Sequence, residues 1–156
     1  MASKVLSYSN CIDEKSPRKC EGDKASYVLE IKTKDILTAK YDADCIKVDS
    51  KITHKICDAF FVLNHSNKQK HLKPKMILVE TKGENFEHAI LQLKKSFEFA
   101  KSADIELSGR IIGRRVPSLK KNKSYQDLSE IFEGRLRTKS IKMIESYSTW
   151  DNFVIN

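Results

Sequence analysis

The feature that most constrains the fold is the position of two acidic residues in the most apolar parts of the chain. Asp58 interrupts the run ICDAFFVLN, residues 56–64, and Glu80 ends the run MILVE. Such short apolar runs are typical of buried strands. A buried carboxylate is costly unless charged groups or a metal ion compensate it. We therefore expect the two acids to belong to one functional site within one sheet.

The segment between these runs indicates how the two strands are joined. Residues 66–75 are polar and contain Pro74, which predicts a loop that allows antiparallel pairing. This pairing would bring Asp58 and Glu80 within reach of one divalent cation, and Mg²⁺ is commonly held by one or two carboxylates together with substrate phosphate. Lys82 shares a face with Glu80 if both are extended, and it could position or activate water. The chemistry implied is phosphodiester hydrolysis.

The clearest element is an amphipathic helix at residues 86–101. Its apolar side chains recur at helical spacing: Phe86, Ala89, Ile90, Leu93, Phe97 and Ala100. Asn85 suits the N-cap position, and Glu87 places a negative charge in the first turn, where the helix dipole favours it. A further buried strand is predicted at residues 105–116, before Pro117.

The remaining segments give weaker signals. Residues 1–24 predict an irregular lead-in, and residues 27–31 alternate like a strand, with a short helix as the alternative. We expect an extended segment at 39–48, a short helix at 125–135 and a strand at 140–146. With 156 residues, 40% of them hydrophobic, the chain predicts one α/β domain over residues 1–156, with a mixed central sheet flanked by helices.

The order of Asp58, Glu80, Thr81 and Lys82, followed by a helix and a strand, resembles the PD-(D/E)XK, or restriction-endonuclease-like, nuclease superfamily. The resemblance covers about residues 40–116. It implies that Asp58, Glu80 and the Thr81 carbonyl bind Mg²⁺ or Mn²⁺, and that Lys82 acts as the catalytic base or orients the attacking water. It also implies a restriction-endonuclease-like core and a nuclease that favours DNA.

Other positions match the superfamily less closely. Gln92 stands about where some branches place a catalytic Gln, but Ser96 occupies the position of the Tyr that follows it there. Cys57 replaces the Pro that often precedes the first Asp. Glu30 is a candidate for a helical Glu only if its segment is helical, and Asp49 is an alternative third acid for the metal.

A basic segment, SGRIIGRRVPSLKKNK, follows the predicted helix. The excess of 29 Lys and Arg residues over 21 Asp and Glu residues gives a net charge of +8, which favours an anionic partner. The segment predicts contacts with a nucleic-acid backbone through Arg110, Arg114, Arg115, Lys120, Lys121 and Lys123. Lysines of the long loop could form an opposite wall: Lys68, Lys70, Lys73 and Lys75. Lysine-dominated contacts predict weak sequence preference.

Cysteine content and hydropathy give expectations about the environment of the chain. The four cysteines form no CxxC pair, a chain of this length does not depend on disulfides for its core, and Cys57 is expected to be a buried thiol. The chain contains no apolar run of membrane-spanning length, and its first residues lack the apolar core of a signal peptide. We expect a cytoplasmic protein without membrane contact, and a homodimer.

Two other interpretations stay open. The chain could be a nuclease-like domain that no longer cleaves and instead serves as a nucleic-acid or protein binding or regulatory module. It could also be a basic protein in which the Glu-x-Lys triplet is incidental, which predicts Asp58 far from Glu80. His88 is expected on an exposed helix face, and Trp150 is expected to anchor the C-terminal segment on the core.

Overall fold

A computed structural model describes residues 2–67, 72–82 and 85–156, and of Lys82 it describes the backbone. Its strands are β1 (Lys19–Glu21), β2 (Ser26–Ile31), β3 (Ile36–Asp42), β4 (Ala59–His65), β5 (Lys75–Lys82), β6 (Glu106–Gly113), β7 (Leu136–Ser140), β8 (Lys142–Tyr147) and β9 (Phe153–Ile155). Its helices are α1 (Ala43–Ser50), α2 (Phe86–Ala100) and α3 (Lys123–Ile131). Short 3-10 helices cover Lys4–Ser7 and Ser9–Cys11.

The strands form two mixed sheets, which confirms the α/β class. The central sheet has the order β3-β4-β5-β6-β7, with β3, β4 and β5 antiparallel in succession. Strands β5 and β6 are parallel because α2 connects them across the sheet, and β7 is parallel to β6. The second sheet has the order β1-β2-β8-β9.

Two apolar cores hold these layers together. One lies between the helices and the first face of the central sheet, where Phe60 and Leu78 meet Leu93 of α2. The other lies between the opposite face and the second sheet, where Phe61 and Ile77 meet Tyr27 and further residues of that sheet. Alternate residues of β4 and β5 therefore enter different cores, which explains why both strands are apolar throughout.

Helix α2 confirms the clearest prediction from the sequence. It begins at Phe86, and the Asn85 side chain accepts a hydrogen bond from the main-chain N–H of His88. Ala89, Ile90 and Leu93 are buried on the side that faces the sheet. The strand predicted at 105–116 is also present, but it ends at Gly113.

Other segments differ from the predictions. The extended segment expected at 39–48 is wrong beyond Asp42, because the Asp42 side chain accepts a hydrogen bond from Asp44 N–H and caps α1. The strand expected at 140–146 is two strands in different sheets, separated at Ile141, whose φ is 70°. The strand at 27–31 is confirmed as β2, so the helical alternative is wrong.

Candidate active site

The candidate site lies at the end of the central sheet where β4 begins and where β5 and β6 finish. We call this row of strand ends the site edge. Asp58 immediately precedes β4, and its main-chain N–H donates to the carbonyl of Val79 at 2.9 Å. Glu80 follows Val79 within β5. The antiparallel pairing predicted for these two segments is confirmed, and the incidental-triplet interpretation, which required a distant Asp58, does not fit this arrangement.

Asp58 is anchored by the residue after Glu80. The main-chain N–H and the hydroxyl of Thr81 both donate to Oδ2 of Asp58, each at 2.7 Å. Among the described residues, no hydrogen bond reaches Oδ1 of Asp58. The expectation that Asp58 is buried is wrong, because it lies just outside the strand and is exposed, whereas Glu80 is only 1% exposed.

A cavity of about 210 Å³ brings these residues together with helix α2. Its lining includes Asp58, Glu80, Thr81 and Gln92. Gln92 is 9% exposed, and its Oε1 is buried without a hydrogen-bond partner in the described part of the chain. A buried amide oxygen without a donor costs about 1–3 kcal/mol, so a cation or an N–H donor placed in the cavity would stabilise it.

Ser96 fixes α2 against the segment before Asp58. Its hydroxyl donates to the Gln92 carbonyl at 2.8 Å and accepts the main-chain N–H of Cys57 at 2.6 Å. Ser96 therefore links the helix turn that carries Gln92 to the residue before Asp58. This position is the one at which the resemblance led us to look for a Tyr.

Strand β5 continues through Lys82, whose backbone pairs with Gly113 of β6. The condition for Lys82 and Glu80 to share a face, extended backbone at both, is therefore met. The Lys82 side chain lies outside the described part of the chain, so its predicted role with water stays a prediction.

The end of strand β1 contacts the site on the face of the central sheet that packs against the second sheet. A Cβ atom at Gly22, the residue after β1, would lie 2.6 Å from Thr81 Oγ1 and 2.7 Å from the Thr81 carbonyl oxygen. This close approach requires glycine.

Cys20 of β1 also lies near the site. Burial, together with the nearby negative charge of Asp58, raises the pKa of the Cys20 thiol to about 12. Cys20 is therefore a neutral neighbour of the site at physiological pH.

The cysteines confirm one expectation and add an unexpected link. Cys57 is a buried free thiol, as predicted, and burial raises its pKa well above the ordinary value. Cys11 and Cys45 form a disulfide that joins a 3-10 helix to α1. No CxxC spacing signals this pair, because 34 positions separate the two residues.

Asp49 lies apart from the other predicted ligands. Its carboxylate accepts a hydrogen bond from the side chain of Asn10. With Cys11 and Cys45 it forms a group of neighbouring metal-ligating atoms, but the disulfide occupies both sulfur atoms. Asp49 is not among the residues that line the cavity, so the structure does not bring this alternative third acid to Asp58 and Glu80.

Arg110 does not fit the predicted nucleic-acid surface. It is 2% exposed and forms a two-point ion pair with Glu145 of β8, with N–O distances of 2.9 and 3.0 Å. The Tyr27 hydroxyl also donates to Glu145, at 2.7 Å. Arg110 thus joins the two sheets, and its guanidinium group is engaged in hydrogen bonds within the protein.

The rest of the basic segment is exposed. This group comprises Arg114, Arg115, Lys120, Lys121 and Lys123. The segment follows Gly113, which pairs with Lys82, so it leaves the sheet at the site edge. Its far end is tied to the start of α2, because Asn122 Nδ2 donates to Glu87 Oε1 at 3.0 Å.

Lys75, the last of the loop lysines, does not form an opposite wall at the site edge. It is the first residue of β5, whereas Glu80 lies near the other end of that strand. At about 3.4 Å per residue, five residues separate them by about 17 Å. The Lys75 ammonium donates to the Trp150 carbonyl at 2.6 Å and lies over the Trp150 ring. Lys68 and Lys70 lie outside the described residues.

Three charged residues at the cavity were missed by the sequence analysis. Asp44 and Lys47 belong to α1, and Lys55 lies between α1 and β4. The Asp42 cap signal before α1 could have revealed the helix, but it stood inside a segment interpreted as extended. The helix carries Asp44 and Lys47 to the site edge.

The remaining predicted residues have structural positions. Glu30 lies in β2 and accepts a hydrogen bond from the Ser146 hydroxyl at 2.7 Å, away from the cavity. His88 is exposed on α2, and Trp150 is buried in the second core, both as predicted.

No protein-family model, curated protein or solved structure matches this chain. The described residues include no helix of the length and hydropathy needed to cross a membrane. The superfamily assignment, the restriction-endonuclease-like core, the single-domain boundaries, the homodimer and the cytoplasmic location all stay predictions.

Proposed function

We propose that the chain is a metal-dependent nuclease that hydrolyses phosphodiester bonds of nucleic acid, with DNA favoured, through a site of the PD-(D/E)XK kind. The observation that carries the proposal is the shared cavity of Asp58, Glu80 and Gln92 at the site edge. Two carboxylates and an amide oxygen form an oxygen-rich donor set of the type that Mg²⁺ and Mn²⁺ prefer.

The donor set fits a divalent cation in two respects. Oδ1 of Asp58 accepts no hydrogen bond from the described residues, while the Thr81 bonds to Oδ2 orient the carboxylate. The buried Oε1 of Gln92 also lacks a donor among them. The Thr81 carbonyl, which the resemblance implies as a ligand, lies against Gly22, so we assign Thr81 the anchoring role and the cation to Asp58, Glu80 and Gln92.

The residues divide the chemistry in the following way. Mg²⁺ or Mn²⁺, when bound, would neutralise charge on the phosphate and act as a Lewis acid. Asp58 and Glu80 would hold the cation, and Oε1 of Gln92 would supply a further oxygen ligand from α2. Lys82 would accept a proton from the attacking water or orient that water, which is the role that its place in the triplet implies. Anchoring by Thr81 and Ser96 keeps the ligands in position before substrate binds.

A cleavage assay on plasmid and single-stranded DNA tests this proposal. Asp58→Asn and Glu80→Gln remove one charge each with little change in shape, and both should abolish Mg²⁺-dependent cleavage. Glu98→Gln is the matched control, because Glu98 is exposed at the far end of α2, where it forms a surface ion pair with Lys101 at 2.7 Å. Cleavage that survives in either site variant would contradict the proposal.

The alternative function is a nuclease-like module that binds nucleic acid or protein without cleaving. One observation favours it: the two Thr81 hydrogen bonds to Oδ2 already give Asp58 a structural role, because they join the start of β4 to the end of β5. This alternative predicts no cleavage by the wild-type protein on any DNA, and nucleic-acid binding that is unchanged in Glu80→Gln.

A further inference from the structure

Basic side chains lie on two sides of the carboxylates at the site edge. On one side, Lys47 and Lys55 line the cavity. On the other side, Arg114 and Arg115 follow the last residue of β6 and are exposed. The strand order produces this arrangement, because α1 follows β3 and the two arginines follow β6, with β4 and β5 in between.

The spacing of the strands suits consecutive phosphates. Neighbouring strands are about 4.8 Å apart, so β3, which leads into α1, and β6, which leads into the two arginines, are separated by about 14 Å. In a nucleic-acid strand, one charge recurs about every 3.4 Å along the axis of the duplex. A phosphate placed at Asp58 and Glu80 would therefore have neighbours on the same strand within reach of both basic pairs.

Helix α1, which carries Lys47, is fixed to the rest of the protein at several points. Ile46 is buried in the helix-side core, and the main-chain N–H of Ala43 lies 3.4 Å from the Asp58 carbonyl. Cys45 is bonded covalently to Cys11. Lys47, two residues further along, is therefore attached to a helix with three separate anchors.

From this placement we infer that a single nucleic-acid backbone lies across the site edge, from Lys47 and Lys55, over the carboxylates, to Arg114 and Arg115. The inference rests on the proposed function for the phosphate at the centre. It goes further in assigning the flanking phosphates to residues of this chain, and in giving α1, which carries none of the motif residues, a part in substrate binding.

The test is fluorescence anisotropy of a labelled single-stranded DNA oligonucleotide, measured over a series of salt concentrations in EDTA, so that cleavage plays no part. The two variants are Lys47→Gln/Lys55→Gln and Arg114→Gln/Arg115→Gln. At about 0.7 per phosphate contact on single strands, each double substitution should reduce the slope of log K against log salt concentration by roughly 1.4. Both variants should also bind more weakly than the wild type.

Lys32→Gln/Lys34→Gln is the matched control, since it makes the same change in charge. Both lysines are exposed and precede Ile36, at the end of β3 away from the site edge. The control should keep the wild-type slope. A control that loses as much as the site variants would overturn the inference in favour of diffuse charge attraction, and an unchanged Lys47/Lys55 variant would overturn the role of α1.

The outcomes separate this inference from the proposed function. Binding that depends on both basic pairs, without any cleavage by the wild type, would uphold the path of the strand and reject the nuclease. Cleavage that depends on Glu80 while the Lys47/Lys55 variant binds normally would uphold the nuclease and reject the path.

Discussion

Thr81 holds the carboxylate of Asp58 with two hydrogen bonds to the same oxygen, one from its main-chain N–H and one from its hydroxyl. The contact joins residues 23 positions apart in the chain. It means that the middle residue of the Glu-Thr-Lys triplet orients the acid of the neighbouring strand, and that Glu80 and Asp58 are fixed relative to each other through the backbone of β5.

Replacing Thr81 by Val should weaken metal binding without unfolding the protein. The substitution removes the hydroxyl donor but keeps the branched shape and the main-chain N–H, so Asp58 would be held by one bond instead of two. Loss of a residue that orients a ligand typically lowers metal affinity roughly 10- to 100-fold. Calorimetric titration with Mn²⁺ measures this, and Thr81→Ser, which keeps the hydroxyl, should stay close to wild type. Equal affinities for wild type and Thr81→Val would contradict the anchoring role.

Gly22→Ala should disturb the site from the opposite sheet. The new Cβ would lie 2.6–2.9 Å from atoms of Thr81, so either β1 or the end of β5 must shift. Overpacking of this kind typically costs about 1–3 kcal/mol of the free energy of unfolding. Thermal unfolding measures the loss, and Lys24→Ala, an exposed change in the same hairpin, serves as the control. An unchanged melting temperature in Gly22→Ala would show that this contact is not tight.

The ion pair of Arg110 and Glu145 should stabilise the protein only while both partners are present. Arg110→Met leaves a buried carboxylate without its cation and should cost about 3–5 kcal/mol, whereas Arg110→Met/Glu145→Leu should recover most of that loss. Urea unfolding of both variants measures the difference. If Arg110→Met is as stable as the wild type, or if Arg110 contributes directly to DNA affinity, the internal role is wrong.

The same ion pair predicts a loss of stability in acid. Burial raises the pKa of Glu145, but the charge of Arg110 and hydrogen bonds from Arg110, Tyr27 and Tyr147 together outweigh burial, so the net pKa lies below the ordinary 4.5. A carboxyl with a lowered folded-state pKa contributes its full stabilisation above the ordinary pKa and loses it as the pH falls through the lower folded value. Unfolding free energies measured downward from pH 5 should therefore fall less steeply in Arg110→Met/Glu145→Leu than in the wild type. Identical pH profiles would contradict this linkage.

The disulfide should be detectable as a difference in thiol number. Of four cysteines, Cys11 and Cys45 are paired, so alkylation of the unfolded, unreduced protein should modify two, namely Cys20 and Cys57. Prior reduction should raise the number to four. Reduction should also lower the free energy of unfolding by about 2–4 kcal/mol, because the unfolded chain regains the freedom that the link removes. Four modified cysteines before reduction would show that the link does not form.

The parts of the site that could be predicted from sequence are those with local signals. Asn85 and the helical spacing after it marked the start of α2, and the apolar runs around Asp58 and Glu80 marked β4 and β5. Gln92 became a candidate only through the resemblance, which implies a Gln on that helix. These elements depend on neighbouring residues, which a single sequence displays.

The rest depended on partners distant in sequence. Arg110 was expected at the surface because nothing near it in the chain reveals Glu145, 35 residues away. Helix α1 was missed because its residues are polar and mixed in pattern, and its stability comes from the Asp42 cap, the buried Ile46 and the link to Cys11. With α1 missed, Lys47 at the cavity was missed as well.

The measurement that tests the central claim most directly is calorimetric titration with Mn²⁺ of the wild type and of Glu80→Gln. The account predicts binding to the wild type and its loss in Glu80→Gln, since the buried Glu80 carboxylate is a ligand at the site edge, with both proteins equally folded by circular dichroism. Equal Mn²⁺ binding by the two proteins, or no binding by either, would contradict it.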